Sequence, residues 1–394
     1  MSRLFRILLI ASLLVGLAPA LPAAAQPALP SNCQLTPGPN SGELYLICWP
    51  QPPDPAWNGD LVVFAHGYVA PDPYGSLEDI LKQLILPNGS TVTTLPALAT
   101  GMGYAFAMTT YSKNGLAVKE GLADTLGLIQ AFKWQYPQGR VYLVGASEGG
   151  LITTLAAEQS TLISGGLALC GPIGSFRGQI DYWGDFRVLF DYFYRQALPS
   201  SPVRIPPGVM VNWEHLYVPR IAGLIGNPDN QLTTLQLLNT SGAPIDPLNP
   251  STAVDTTVGI LSYNVFATNE AQDELGGQPF DNMSTVYVGS ADDEALNAPR
   301  GAQRFAADPA ALQEIGLYYE TSGSLKVPLV TMHTSGDPIV PYWHEEIYNA
   351  KSPSGGSAPP HINIRINRYG HCTFTADEAM AGFAQLVLMV TSGP

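Results

Sequence analysis

Short, unbroken apolar runs recur along the chain, each followed by Gly or Pro and then by a stretch with helical spacing. Unbroken runs, unlike alternating ones, are typical of parallel strands that are covered on both faces. Their alternation with helices predicts an α/β fold with a mostly parallel central sheet flanked by helices. Strands are predicted at residues 61–65, 104–108, 141–144, 166–170, 327–332 and 362–366, and helices at 116–135, 149–158, 342–349 and 375–390.

One long stretch, residues 176–323, interrupts this alternation. It is rich in aromatic residues and contains no convincing buried strand. We interpret it as a helical cap inserted into an α/β core of residues 26–175 and 324–394, because the chain returns to a strand at Val327. A second independent domain is the alternative. Helical pieces of the cap are predicted at 182–194, 213–224, 231–238, 253–266 and 302–315.

The N-terminal 25 residues have the pattern of a secretory signal peptide. Arg3 and Arg6 precede an apolar run at 7–17, and the stretch ends in three alanines, the last of which is Ala25. A basic start, a short apolar centre and an A-x-A end are the signature of such a peptide. The run is well short of the ~20 residues that span a bilayer. We therefore predict cleavage after Ala25, export to the extracellular space or periplasm, and no stable membrane insertion.

Export changes the interpretation of the cysteines, which number four. An even number in an oxidising compartment favours disulfides over metal or redox chemistry. Cys33 and Cys48 close a short loop ahead of the first strands, so we pair them. This leaves Cys170 to pair with Cys372.

Composition excludes several classes of partner. Asp plus Glu number 32 against 18 Lys plus Arg, which gives a formal charge of -14. A chain this acidic repels a phosphate backbone, and no basic run is present, so nucleic-acid binding is not expected. The sequence has no H-E-x-x-H or C-x-x-C spacing, so we predict neither a metal site nor a cofactor.

The most informative segment is Gly145-Ala146-Ser147-Glu148-Gly149, which follows the strand predicted at 141–144 and opens a helix. A G-x-S-x-G string in this setting is typical of a nucleophile elbow. The turn from strand to helix is so sharp that only small residues fit two places before and after the serine. We therefore predict that Ser147 is a catalytic nucleophile rather than an ordinary turn residue.

A serine nucleophile needs a base, usually a histidine that is oriented by a carboxylate. His371 is the best of the six histidines, because it lies between the last strand and the last helix. Asp337 lies in a Gly-Asp-Pro turn after the preceding strand, and Glu346 in the next helix is a weaker substitute. The alternative for Asp337 is that it only shapes its turn. The chain order Ser147, Asp337, His371 favours the catalytic role.

Attack on a carbonyl also needs two fixed N–H donors for the developing oxyanion. One predicted donor is the backbone N–H of Glu148, directly after the nucleophile. The other is the backbone N–H of Tyr68, in the His66-Gly67-Tyr68 loop after the first buried strand. The His66 side chain is expected to brace this loop.

Together these motifs resemble the α/β-hydrolase superfamily, over residues 61 to 170 and 327 to 394. The resemblance implies a cap inserted after the strand that follows the elbow helix, which is where residues 176–323 lie. The run Gly370-His371-Cys372 is similar to tannases and feruloyl esterases, in which a disulfide ties the nucleophile and base loops together. Those enzymes have Cys where this chain has Ala146. The doubled glycine after Glu148 resembles prolyl-oligopeptidase-type hydrolases.

The leading hypothesis is a secreted serine hydrolase that cleaves small-molecule or polymeric carboxylic esters through an acyl-enzyme. The aromatic cap favours an apolar or aromatic acyl group. A serine peptidase or acyl-peptidase of the same fold is the first alternative. A non-catalytic α/β-hydrolase-like binding protein is the second.

Overall fold

The computed structural model describes residues 31–199, 201–352 and 359–392, so the predicted signal peptide lies outside the described residues. Within them the chain forms an eight-stranded sheet and a separate two-stranded hairpin. The strands are β1 (Cys33–Pro37), β2 (Leu44–Cys48), β3 (Leu61–Ala65), β4 (Ile85–Asn88), β5 (Thr91–Thr94), β6 (Ala105–Thr109), β7 (Val141–Ala146), β8 (Gly165–Leu169), β9 (Leu329–Gly336) and β10 (His361–Tyr369).

The sheet has the strand order β1-β2-β6-β3-β7-β8-β9-β10. The pairs from β6 to β10 are parallel, whereas β1 and β2 pair antiparallel with each other and β2 pairs antiparallel with β6. The predicted mostly parallel sheet is therefore confirmed. Every residue of β3, β6 and β8 is buried, as expected of strands covered on both faces.

Helices cover both faces of the sheet and fill the segment between β8 and β9. None of those described has the length and apolar character needed to cross a bilayer. They are α1 (Leu77–Lys82), α2 (Leu95–Gly101), α3 (Val118–Gln135), α4 (Glu148–Gln159), α5 (Phe176–Phe193), α6 (Pro207–Val211), α7 (Val218–Ile225), α8 (Gln231–Ser241), α9 (Thr252–Leu275), α10 (Asp293–Asn297), α11 (Pro309–Tyr318), α12 (Trp343–Lys351) and α13 (Ala376–Ser392).

The two faces of the sheet have separate apolar cores. Leu61 and Val63 of β3 pack with α3 and α4 on one face. Val62 and Phe64 point to the other face, where they pack with residues of α2 and α13. A third apolar cluster lies within residues 176–323 and takes in Ile339 and Val340, just after β9. The helical segment is thus packed onto the loop that carries Asp337.

Some predicted boundaries are wrong. The helix expected at 302–315 begins only at Pro309. The residues before it are held in an irregular conformation by Asn282, whose Oδ1 accepts a hydrogen bond from Phe305 N at 2.7 Å. Two five-residue strands, β1 and β2, were not predicted. Their Cys33 and Cys48 are opposite each other in the antiparallel register and are joined by a disulfide.

Candidate active site

Ser147 lies in the turn between β7 and α4, with a backbone φ of 58° and ψ of -120°. A non-glycine residue rarely adopts a positive φ, and such strain is concentrated at functional sites. The glycines on either side permit the turn. A Cβ on Gly145 would lie 2.0 Å from the Gly149 carbonyl oxygen, and a Cβ on Gly149 would lie 2.0 Å from that of Ala65. The steric reason for the predicted elbow is therefore present.

The structure brings the predicted nucleophile, base and acid together. The Ser147 hydroxyl lies 2.9 Å from His371 Nε2, and His371 Nδ1 lies 2.7 Å from Asp337 Oδ2. Because a carboxylate only accepts, His371 Nδ1 carries the proton and Nε2 is free to accept from the serine. Asp337 Oδ1 accepts from the backbone N–H groups of Ile339 at 2.9 Å and Val340 at 3.0 Å.

These three residues follow β7, β9 and β10, whose carboxyl ends meet at one edge of the parallel sheet. The strand order, the strained elbow and the chain order of serine, acid and histidine identify the architecture. The chain has the α/β-hydrolase fold. Fold alone does not determine the reaction, since α/β-hydrolases include enzymes of many kinds.

No family model and no curated protein matches the sequence. Solved structures with some likeness include the acylaminoacyl peptidase of Pyrococcus horikoshii, at 14% identity and a TM-score of 0.37 over 86% of this chain and 37% of that one. A puromycin hydrolase has 12% identity and a TM-score of 0.44, over 94% of this chain and 41% of that one. A membrane phospholipase A has 11% identity and a TM-score of 0.41, over 92% and 88%.

This chain therefore spans less than half the length of the first two of these proteins. Identities of 11 to 14% and TM-scores below 0.5 are too low to carry a conclusion about activity.

The two predicted oxyanion donors are the backbone N–H groups of Tyr68 and Glu148. Neither donates a hydrogen bond to another of the residues that the structure describes. Gly67 allows the Tyr68 loop to approach the elbow, because a Cβ there would lie 3.0 Å from the Ala146 carbonyl oxygen and from Ser147 Cβ.

Gln83, which sequence reasoning missed, holds this loop in place. Its Oε1 accepts from Gly67 N at 2.6 Å. His66 contributes on the other side, where its ring stacks on Tyr111 at 3.9 Å and its Nδ1 donates to the Gly67 carbonyl at 2.7 Å. Burial lowers the pKa of His66 to about 4, so its imidazole is neutral. These contacts agree with the bracing role expected of His66.

The second predicted disulfide joins Cys170, directly after β8, to Cys372, directly after His371. Both cysteines have a positive φ, 47° and 52°. With His371 they form the one group of three possible metal ligands found among the described residues. Their sulfurs are bonded to each other, so they lack the thiolate form that binds metals.

A second buried histidine, His333 of β9, contacts the acid and was not predicted. Its Nε2 lies 2.7 Å from the Val340 carbonyl and 3.4 Å from Asp337 Oδ2, and its Nδ1 lies 3.1 Å from Glu345 Oε1. Burial alone lowers the pKa of His333, but hydrogen bonds to the two carboxylates outweigh it and raise the pKa to about 10. Burial acts to raise the pKa of Asp337, but its contacts with His371 and His333 outweigh burial and lower the pKa to about 2.

The helical segment 176–323 reaches Ser147 through Tyr263 of α9, another residue that the sequence pattern did not single out. Its ring stacks on Trp183 at 4.8 Å and lies 5.6 Å from that of Tyr68. Burial, together with nearby carboxylates, raises the pKa of Tyr263, whereas a hydrogen bond with Ser147 opposes this rise. Tyr263 is therefore a neutral hydroxyl beside Ser147.

The remaining sequence candidates lie elsewhere. Glu346 is exposed on α12, whereas its neighbour Glu345 is buried against His333. His344 is buried and bonds Gly174 N and Gln179 Oε1, which is a structural role. His361 is the first residue of β10.

Proposed function

We propose that this α/β-hydrolase is an exported serine hydrolase that cleaves carboxylic esters through an acyl-enzyme on Ser147. The observation that carries the proposal is the continuous path of hydrogen bonds from Ser147 Oγ through His371 to Asp337, at 2.9 and 2.7 Å. This path starts at a strained elbow beside two unpaired backbone N–H groups. A serine with an oriented base and an oxyanion site is equipped for acyl transfer.

In the proposed reaction, His371 Nε2 takes the Ser147 proton as Oγ attacks the ester carbonyl. The N–H groups of Tyr68 and Glu148 donate to the oxyanion that forms. The carbonyl re-forms as the ester bond breaks, and His371 gives its proton to the leaving alkoxide oxygen. Water then attacks the acyl-enzyme with His371 as its base, and the returned proton restores Ser147. Asp337 holds the imidazole and stabilises its charged form.

Export is supported by the predicted signal peptide and by the two disulfides. Disulfides persist in oxidising compartments.

A peptidase or acyl-peptidase is the alternative reaction. A peptide substrate with a free amine needs an anionic anchor. Among the described residues, Glu148 is the one acidic side chain that lines the two cavities at Ser147. Burial raises the pKa of Glu148 to about 8, so it is mostly uncharged at neutral pH. This favours an uncharged ester over a peptide with a free terminus.

The test uses matched p-nitrophenyl esters and p-nitroanilides together with a fluorophosphonate probe. We expect ester hydrolysis and covalent labelling by the wild type, and the loss of both in Ser147→Ala with an unchanged far-UV spectrum. Ser112→Ala is a control outside the site. Faster anilide than ester turnover would favour the peptidase. No labelling of the wild type would favour a binding protein.

A further inference from the structure

Two cavities meet at Ser147, and they differ in size and in the elements that line them. The larger, about 390 Å³, lies between the sheet and helices α2 and α13, and we call it the α2–α13 cavity. The smaller, about 80 Å³, lies under the cap between α5 and α9. Both are lined by Tyr68, Ser147 and Tyr263. Apart from Tyr263, the larger cavity is therefore lined by residues outside the segment 176–323.

The α2–α13 cavity is built from apolar side chains of the sheet and of both helices. Val62 and Phe64 of β3 and Leu169 of β8 line it from the sheet, while Leu98 of α2 and Phe383 of α13 line it from the opposite side. Apart from the residues at Ser147, the polar side chain in its lining is Gln83, whose amide is already bonded to Gly67. Away from Ser147, its described lining offers no free hydrogen-bond partner for the polar groups of a sugar or a peptide, and burying such groups unpaired is costly.

We propose that the α2–α13 cavity binds an aliphatic chain of the ester substrate. The protein would then be a hydrolase of lipid-like esters. This inference rests on the proposed function, because the cavity holds the aliphatic chain of the substrate next to the ester bond that Ser147 attacks. The cap-side cavity receives the smaller half of the ester. Each methylene moved from water into an apolar site favours binding, by a factor of about four. We therefore expect kcat/KM to rise about four-fold per methylene until the cavity is filled.

The chain could belong to the acyl group or to the alcohol, so the experiment has two series. One is p-nitrophenyl esters from acetate to dodecanoate, and the other is alkyl acetates from ethyl to decyl, followed by proton release. A rise with length in either series supports the proposal and identifies the half that carries the chain. Equal kcat/KM across both series would overturn it.

A substitution that fills the cavity tests its location. Ala379 of α13 lines the cavity and is buried, whereas Ala381 on the same helix is exposed. Ala379→Phe should lower kcat/KM at least ten-fold for the longest substrates and leave the shortest unchanged, while Ala381→Phe should leave the whole profile unchanged. Met380→Trp, at a lining position that is 37% exposed, serves if Ala379→Phe does not fold. If kcat/KM depends on substrate length in the folded variant as it does in the wild type, the aliphatic chain binds elsewhere.

A binding measurement separates this inference from the proposed reaction. Ser147→Ala cannot turn over an ester, but its cavity is intact, so dodecanoate should raise its Tm more than butyrate does. Ala379→Phe in the same background should abolish the difference. If this binding is seen but the wild type hydrolyses no ester, the proposed reaction is wrong and the proposed binding site for the aliphatic chain is supported. If esters are hydrolysed but dodecanoate has no effect on the Tm of Ser147→Ala, the proposed binding site for the aliphatic chain is wrong.

Discussion

His333 and His371 share one oxygen of Asp337, since His333 Nε2 lies 3.4 Å and His371 Nδ1 lies 2.7 Å from Oδ2. Both ring nitrogens of His333 face acceptors, the Val340 carbonyl on one side and Glu345 Oε1 on the other. Glu345 Oε2 in turn accepts from Thr331 and Asn363, each at 2.7 Å. The geometry therefore suits a doubly protonated imidazole between two carboxylates.

The first prediction concerns this buried cation. His333→Gln keeps a side-chain donor but leaves the charges of Asp337 and Glu345 uncompensated. Removing one partner of a buried ion pair costs about 3–5 kcal/mol. We expect the free energy of unfolding, measured in urea at pH 7, to fall by about that amount.

Glu346→Gln is the matched control, because that residue is exposed on the helix that carries Glu345. It should change stability by less than about 0.5 kcal/mol. The loss in His333→Gln should also shrink at higher pH. Protonated His333 contributes its full stabilisation of the fold below about pH 6.5. This contribution is lost as the pH rises through the folded-state pKa of about 10. A constant loss from pH 7 to 10.5 would mean that His333 is neutral.

The second prediction concerns Glu148, whose buried carboxyl group has its pKa raised to about 8. Its folded form holds a proton that the unfolded chain releases near the ordinary value of 4.5. Stability is therefore highest below about pH 4.5 and falls by about 1.4 kcal/mol per pH unit as the pH rises towards 8. Glu148→Gln should remove this part of the pH dependence.

The comparison is made by urea unfolding at pH 5, 6, 7 and 8.5, for the wild type and for Glu148→Gln. In the wild type, Glu148 Oε1 accepts a hydrogen bond from Ala117 N at 2.6 Å. Glutamine keeps this acceptor oxygen and leaves the backbone N–H of residue 148 in place. The variant should therefore gain on the wild type from pH 5 up to about pH 8, and the gain should level off above that pH. Parallel curves for the two proteins would contradict the raised pKa.

The third prediction concerns the orienting acid. Asp337→Asn replaces one acceptor oxygen by an NH₂ group, which cannot accept from His371 Nδ1. In serine proteases the corresponding change lowers kcat by about 10⁴, because the imidazole takes the wrong tautomer. We expect a similar loss in ester turnover, with KM little changed. Ser335→Ala, at the end of the same strand, is the control, and a near-wild-type kcat in Asp337→Asn would place the acid elsewhere.

The sequence predicted the elements that meet at the edge of the sheet, because each of Ser147, Asp337 and His371 follows a recognisable strand. It did not predict β1, which is mostly exposed, ends in Pro37 and lacks an unbroken apolar run such as that of β3. The contact between His333 and Glu345 depends on how α12 packs against β9. No local pattern shows such a contact.

The cavities were equally beyond the reach of sequence patterns. Phe64 and Phe383 have the ordinary signature of core residues, and a space left between core side chains has no signature at all. The aromatic cap predicted an apolar or aromatic acyl group, but the larger apolar cavity lies between the sheet and helices α2 and α13. Tyr263 of α9 lines both cavities, as Ser147 does.

The last prediction concerns the Cys170–Cys372 disulfide, which closes a loop with a sequence separation of 202 and ends next to His371. Replacing both cysteines by serine should lower stability by about 5 kcal/mol on the chain-entropy model. The His371 loop also loses its covalent tie to the strand beside the elbow, so kcat should fall while the protein is still folded. The matched control is Cys33→Ser with Cys48→Ser, which opens a loop with a separation of only 15, away from the site. It should cost about 3 kcal/mol and leave kcat unchanged. Urea unfolding and steady-state kinetics at 20 °C give both quantities, and an equal effect of the two pairs on kcat would show that the bond does not position His371.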